Sequence, residues 1–378
     1  MAAGVAAIVW LAGNTSLTAA RQTARSDPAA PCLPPDVGGG VGEGRNDPLQ
    51  FPLTVGELRT VMLFVDFADA RGTADPAATY ESFVPKAVEW YRNVSYDRLR
   101  LVVTPLLRRV TLHGSIANYA APGGGFGLAR AAVEEAVAAA DSEIDFSRFH
   151  AVYLVLPVAA VERIGPIGVL IFDQPLRADG APIRIRTVLF DQSVGGEAHH
   201  YLAHETGHML GLPHVSISSW DIMGSVARPR GLFAWHRWKL GWLDPAQIVC
   251  LAGQRRAEAT LTPLERPGGT KAIILRRGRS AYVAEVREPV ATQAGRICKG
   301  GVLIYEVDFS PPRGWAAIRL RPAQIETRVQ RATCGPQSQA PFGRGRGEVS
   351  RLRNWGLQFD VRAALPDGSY RIRVTKTR

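Results

Sequence analysis

Residues 60–67 read TVMLFVDF, an apolar run broken only by Asp66, and such a run predicts a buried central strand. From Pro76 to Arg92 the apolar and aromatic positions are Tyr80, Phe83, Val84, Ala87, Val88 and Tyr91, whose spacings of three and four predict an amphipathic helix. Leu99 to Val103 and Arg109 to Leu112 read as two strands, and alanine-rich Leu128 to Ala140 as a second helix. Ala151 to Val158 (AVYLVLPV) predicts another buried strand, and the alternation from Ile183 to Phe190 an edge strand. The pattern from Gly196 to Leu210 is again helical. After Leu243-Asp244-Pro245 the texture changes to strand-like pieces separated by Gly and Pro turns: Ala259–Leu264, Lys271–Leu275, Ala281–Val286, Gly301–Val307 and Tyr370–Val374. We therefore expect an α/β (α+β) domain over residues 56–246, with a mixed twisted sheet and a helix beneath it. A β-rich, sandwich-like domain should follow over 247–378. No internal repeat is visible.

The ends of this pattern add a compartment. Val5 to Leu11 is a short apolar segment followed by Asn14-Thr15-Ser16 and Thr18-Ala19-Ala20, so residues 1–20 are expected to be an export signal peptide with small residues at its cleavage site. No basic residue precedes the apolar stretch, and the expected start of such a signal lies upstream of Met1. Residues 21–55, rich in Pro, Gly, Ala and Asp, read as a linker or short pro-segment. The four cysteines (Cys32, Cys250, Cys298, Cys334) suit two disulfides in an oxidising compartment, with three pairings open and Cys250–Cys298 the expected bond. Hydrophobic residues at 46% and charged residues at 21% are ordinary for a globular chain, and no apolar run is long enough to span a bilayer. The net charge of +11 is carried almost wholly by arginine, since only Lys86, Lys239, Lys271, Lys299 and Lys376 are lysines. Such a surface favours anionic partners such as a cell envelope; scattered as the charges are, without a nucleic-acid motif, they give no reason to expect a nucleic acid.

The chemistry is concentrated in His204-Glu205-Thr206-Gly207-His208-Met209-Leu210-Gly211-Leu212-Pro213-His214. Positions i and i+4 share a helix face, so His204 and His208 can point at one metal ion with Glu205 beside it. Leu202, Ala203, Thr206, Met209 and Leu210 would pack that helix on a core. Gly211 can end the helix in the left-handed region and let the chain turn His214 back as a third ligand. Three neutral imidazoles leave one tetrahedral position open, which is what a catalytic zinc needs. A purely structural zinc would have that position filled. His199 and His200 precede the motif; His200 lies one turn before His204 and is read as a supporting or exposed residue.

Beyond His214 comes Trp220-Asp221-Ile222-Met223-Gly224, and with the extended histidine motif this resembles the metzincin metallopeptidases. The likeness narrows with Ala234-Trp235-His236-Arg237-Trp238-Lys239-Leu240-Gly241-Trp242-Leu243-Asp244, Leu63-Phe64-Val65-Asp66-Phe67-Ala68-Asp69, Ser95-Tyr96-Asp97-Arg98-Leu99 and Gly300-Gly301-Val302-Leu303-Ile304-Tyr305-Glu306-Val307. Together, over most of residues 58–308, these resemble the immune-inhibitor-A type peptidases, which are secreted bacterial metalloproteases. The gametolysin-type group is the second choice. Many immune-inhibitor-A type members carry Asp where this chain has His214, whereas His is usual in other metzincins. The resemblance implies a metzincin-like catalytic domain and one Zn2+ held by His204, His208 and His214. It also implies Glu205 as general base and acid, Met223 as an apolar floor beneath the histidines, and protein or peptide substrates outside the cell. Metzincins commonly place a Tyr just after that methionine; residues 225–230 (SVARPR) have none, which leaves the oxyanion-stabilising group unassigned, with His236 and Tyr201 as candidates. Pro31-Cys32-Leu33 lacks the Arg and Gly of a pro-segment cysteine switch, so Cys32 is expected in a disulfide. Asp66, Asp69 and Asp75 have no spacing that supports a structural Ca2+ and are expected to cap or flank the strand. A non-catalytic binding or adhesion protein on the same fold is the rival reading; Glu205 speaks against it, because binding alone needs no base.

Overall fold

Strand β1 (Gly56–Asp66) is the axis of the first sheet in this computed structural model, which describes residues 29–33, 41–47, 51, 53–120, 130–164, 168–190, 198–292, 295–310 and 317–377. The expected signal peptide and much of residues 21–55 lie outside the described residues. Helix α1 (Pro76–Val94) crosses from β1 to β2 (Leu99–Thr111), which pairs parallel with it. Asp75 caps α1 by accepting from the Ala78 N–H at 2.8 Å, and Pro76 occupies the first turn, where no N–H partner is lost. Helix α2 (Arg130–Ala140) leads to β3 (Ala151–Leu156) on the other side of β1, and α3 (Val158–Ile164) to a hairpin of β4 (Gly168–Ala178) and β5 (Ala181–Phe190). The sheet order is β2-β1-β3-β5-β4, with β4 alone antiparallel. Helices α4 (Ala198–Met209) and α5 (Ala234–Lys239) follow.

Alternation along β1 divides two cores. Leu58, Met62 and Phe64 face Leu202, Ala203 and Met209 of α4 and Phe83, Ala87 and Tyr91 of α1. Val61, Leu63 and Val65 face Ala132, Val133, Ala136 and Val137 of α2. A strand covered on both faces must read as a continuous apolar run, which is the pattern residues 60–67 show. Two expectations are corrected. Leu99–Val103 and Arg109–Leu112 belong to one strand, whose register against β1 jumps from Leu63↔Leu106 to Phe64↔Arg109 across a bulge. The segment 183–190 is not an edge, because β4 pairs with its outer side. Alternation reports that a strand has one polar face; it does not report which strands flank it.

The remaining chain is β6 (Ile248–Cys250), β7 (Arg256–Leu261), β8 (Ala272–Arg277), β9 (Ser280–Arg287), the small ribbon β10 (Val290–Ala291) with β11 (Ile297–Cys298), β12 (Gly301–Asp308), β13 (Ile318–Leu320), helix α6 (Arg328–Cys334), β14 (Arg351–Asn354), β15 (Leu357–Ala364) and β16 (Tyr370–Lys376). Sheets β13-β12-β9-β8-β6 and β14-β15-β16-β7 enclose a core that includes Ile273, Ala284, Val302 and Ile304 from one and Leu261, Phe359, Ile372 and Val374 from the other. The opposite face of the first of these sheets, through Ile274, Val283, Leu303 and Tyr305, shares a core with Trp235, Trp238 and Trp242. The disulfides are Cys32–Cys250 and Cys298–Cys334, so the expected Cys250–Cys298 bond is not formed. Residues 30–32 lie against β8, with the Cys32 sulfur 3.4 Å from the Ile274 carbonyl, which brings Cys32 to the neighbouring β6. The Cys298 ribbon faces the end of α6 instead, and only Cβ atoms a few ångström apart can be bridged.

Candidate metal centre

Helix α4 places His204 and His208 one turn apart, and Gly211, at φ 88°, ends it. That conformation carries a steric cost for any residue with a Cβ, and a Cβ here would also lie 2.5 Å from the Asn46 amide oxygen. The chain then reverses and brings His214 back. The three Nε2 atoms converge: His204 to His208 and His208 to His214 are 3.1 Å apart, and His204 to His214 is 3.2 Å. A tetrahedral zinc with nitrogens at 2.0–2.1 Å would hold them about 3.3–3.4 Å apart. The donor set therefore suits a divalent metal such as zinc, and among the described residues it is the one cluster of three metal-ligating side chains.

Two of the rings are oriented by carbonyl oxygens. His204 Nδ1 lies 2.8 Å from the Ile222 carbonyl and His208 Nδ1 lies 2.7 Å from the Leu212 carbonyl, so Nδ1 carries the proton and Nε2 offers its lone pair. Burial lowers all three imidazole pKa values, and the neighbouring histidines add to this for two of them: His208 falls to about 3 and His214 to about 4. Uncharged rings are ready ligands well below neutral pH.

The sign of these shifts yields a stability prediction for metal-free protein. In the unfolded chain the three histidines take up protons near their ordinary pKa of about 6.5, while the fold holds all three below it, His208 down to about 3 and His214 to about 4. Their contribution is complete above 6.5 and is lost as pH falls through that window. Burial pushes the Glu205 carboxyl up to about 8, which works the other way between pH 8 and 4.5, but it is one group against three. In chelator, the urea midpoint should therefore fall between pH 6.5 and 4.5. A midpoint that rose across that range would contradict the neutral-imidazole assignment.

Glu205 is only 6% exposed. Met223 is buried, and its thioether would sit 2.5 Å from a Cβ at Gly207, so the glycine between the two helical histidines leaves room for the methionine. Asp221 builds the turn: Oδ1 accepts the Met223 N–H at 2.8 Å, and Oδ2 accepts the Phe233 N–H at 2.7 Å. Arg287, from β9, donates to the Trp220 carbonyl at 2.9 Å, so the β-rich part of the chain also holds this turn.

His236 is fully buried, with Nδ1 2.7 Å from Asp221 and Nε2 facing Glu43, so it is unavailable as an oxyanion donor. His199 and His200 are half-buried, their ring centroids 3.9 Å apart, and Tyr201 is half-buried too. The three aspartates weighed for calcium are satisfied by protein donors. Asp66 accepts from the Gly72 N–H and Arg109, Asp69 from the Ile116 N–H and Arg163, and Asp75 caps α1. The sequence reading missed the roles of Gly207 and Asp221, although both lie inside quoted motifs. It missed Glu43 and Asn46 for want of any local signal, since neither belongs to a motif.

No family model matches this chain, and no curated protein matches it. Among solved structures it is similar to metalloproteinase-II from Bacteroides fragilis, with 13% identity and a TM-score of 0.29, over 55% of this chain and 59% of that one. A likeness that slight carries no weight for function, and the functional reading stands on the geometry of the site.

Proposed function

We propose that this chain is a secreted zinc-dependent endopeptidase of the metzincin type, resembling the immune-inhibitor-A type enzymes. His204, His208 and His214 hold the metal, Glu205 is the general base and acid, and Met223 forms the apolar floor. The observation that carries this reading is the convergence of three Nε2 atoms at 3.1–3.2 Å with a buried carboxyl on the adjoining helical residue. When bound, zinc supplies Lewis acidity, lowering the pKa of water from about 15.7 towards 7 and polarising a peptide carbonyl. Glu205 accepts the proton of the attacking water and passes one to the leaving amine. Ile222 and Leu212 keep His204 and His208 in the ligating tautomer through their carbonyls. We assign the chemistry to residues 56–246, with the β-rich residues 247–378 closing its core.

Two disulfides are in keeping with work outside the cell; no helix among the described residues is long and apolar enough to cross a membrane. The substrates would be extracellular proteins, and the arginine-rich surface would favour anionic cell envelopes. Incubating the protein with an unbiased peptide library tests the reading. Internal cleavage should appear, stop on chelation and return with added zinc. A zinc-loaded chain that cleaved no peptide would sink it.

A further inference from the structure

Residues 41–47 lie outside the helix-and-turn motif, yet they touch it at two places. Asn46 donates to the Leu210 carbonyl at 2.6 Å and packs against the bare Cα of Gly211. Lys239 donates to the Gly211 carbonyl at 2.9 Å and also to the Asn46 amide oxygen. The next carbonyl, Leu212, is the one that orients His208. Three successive carbonyls between two ligands are thus each committed, where a helix end leaves its carbonyls without intrahelical partners.

The second place is Glu43, 2% exposed, whose carboxylate accepts from the Trp235 indole at 3.0 Å and lies 3.4 Å from His236 Nε2 through either oxygen. His236 contacts Asp221, Asp221 holds the Met223 N–H, and the turn presents the Ile222 carbonyl to His204. Burial opposes charge on His236, but Asp221 and Glu43 outweigh it and raise its pKa to about 10, so the link is an imidazolium between two carboxylates. Upstream, Cys32 is bonded to Cys250, which fastens the same end of the chain to β6.

We propose that Glu43 and Asn46 are positioning residues for the metal centre, setting His204 through the turn and His208 through the helix exit, and that residues 41–47 accordingly stay with the working protein rather than leaving as a pro-segment. The proposal rests on the zinc reading of the site. Its test uses the full chain carrying E43Q or N46A, with both disulfides verified by non-reducing peptide mapping. Zinc affinity is measured against a chromogenic chelator, and the visible spectrum of the Co2+-loaded protein is recorded. Each variant should lose up to about 10-fold in zinc affinity, the lower end of what removing a direct partner of a ligating histidine costs, because each acts through an intervening group. Each should also shift the cobalt bands while keeping the wild-type far-UV circular dichroism, which a merely structural role would not produce. Wild-type affinity and spectrum in both folded variants would overturn the proposal. Should E43Q lack the wild-type fold, N46A decides alone. A zinc-loaded, active form cut free of residues up to 46 would overturn it too. Both readouts need no substrate, so a wild-type chain that binds zinc but cleaves nothing refutes the peptidase reading and leaves this test intact. A wild-type chain that takes up no zinc sinks both.

Discussion

Glu205→Ala should keep its zinc and lose about 10²–10⁴-fold in kcat/KM for peptide hydrolysis. That range corresponds to about 3–5 kcal/mol of transition-state stabilisation. The expectation follows from where the carboxyl sits. It adjoins His204 on α4 without belonging to the three converging donors, so removing it leaves the metal's ligands in place. Burial alone pushes its pKa up to about 8, which would leave it largely protonated at neutral pH. A dication bound beside it would favour the ionised form, and a carboxyl drawn both ways would suit the proposed base that later returns the proton. Glu205→Gln keeps the shape and should fall as far, which separates loss of the base from loss of packing. Metal content by mass spectrometry and steady-state kinetics check the pair. Near-normal turnover in either would show that another residue takes the proton.

Replacing His214 should damage metal binding itself. Its Nε2 stands 3.1 and 3.2 Å from those of His208 and His204, so alanine would leave two protein donors, too few for a stable catalytic zinc site. Zinc affinity and activity should fall together. His214→Asp should be milder, because a carboxylate oxygen also binds zinc at about 2.0–2.2 Å, but the shorter side chain reaches less far and its charge makes the bound water less acidic. The expected order in both metal content and turnover is wild type, Asp, then Ala. His214 is half-buried and outside α4, so the far-UV spectrum should be preserved and the loss attributable to the site. Stoichiometric zinc retained through dialysis by His214→Ala would mean that a different residue completes the ligand set.

How much of this was legible from residue order follows the range over which each feature is decided. The i, i+4 placement of His204 and His208 and the left-handed exit at Gly211 are set by backbone geometry within one or two helical turns. The burial of the second half of β1 on both faces is written in the same way, in the apolar stretch from Val61 to Val65. Features that join distant segments could not be read so. Whether 183–190 is an edge depends on where β4 pairs, and the cysteine pairing depends on residues 30–32 lying against β8. His236 looked available for catalysis because nothing local reveals that Asp221 and Glu43 close around it.

The sequence by itself determined the local chemistry: a helix with two histidines and a carboxyl on adjoining positions, a glycine that can end it, and a third histidine within reach. Only the tertiary structure decided what holds that chemistry in place, namely an imidazolium between carboxylates from two separate segments, a lysine and an asparagine on the helix-exit carbonyls, and an arginine from β9 on the turn. The physical reason is that dihedral preference and hydrophobic period act over a few residues. A buried polar group must instead find its partner wherever packing delivers one, at any separation along the chain.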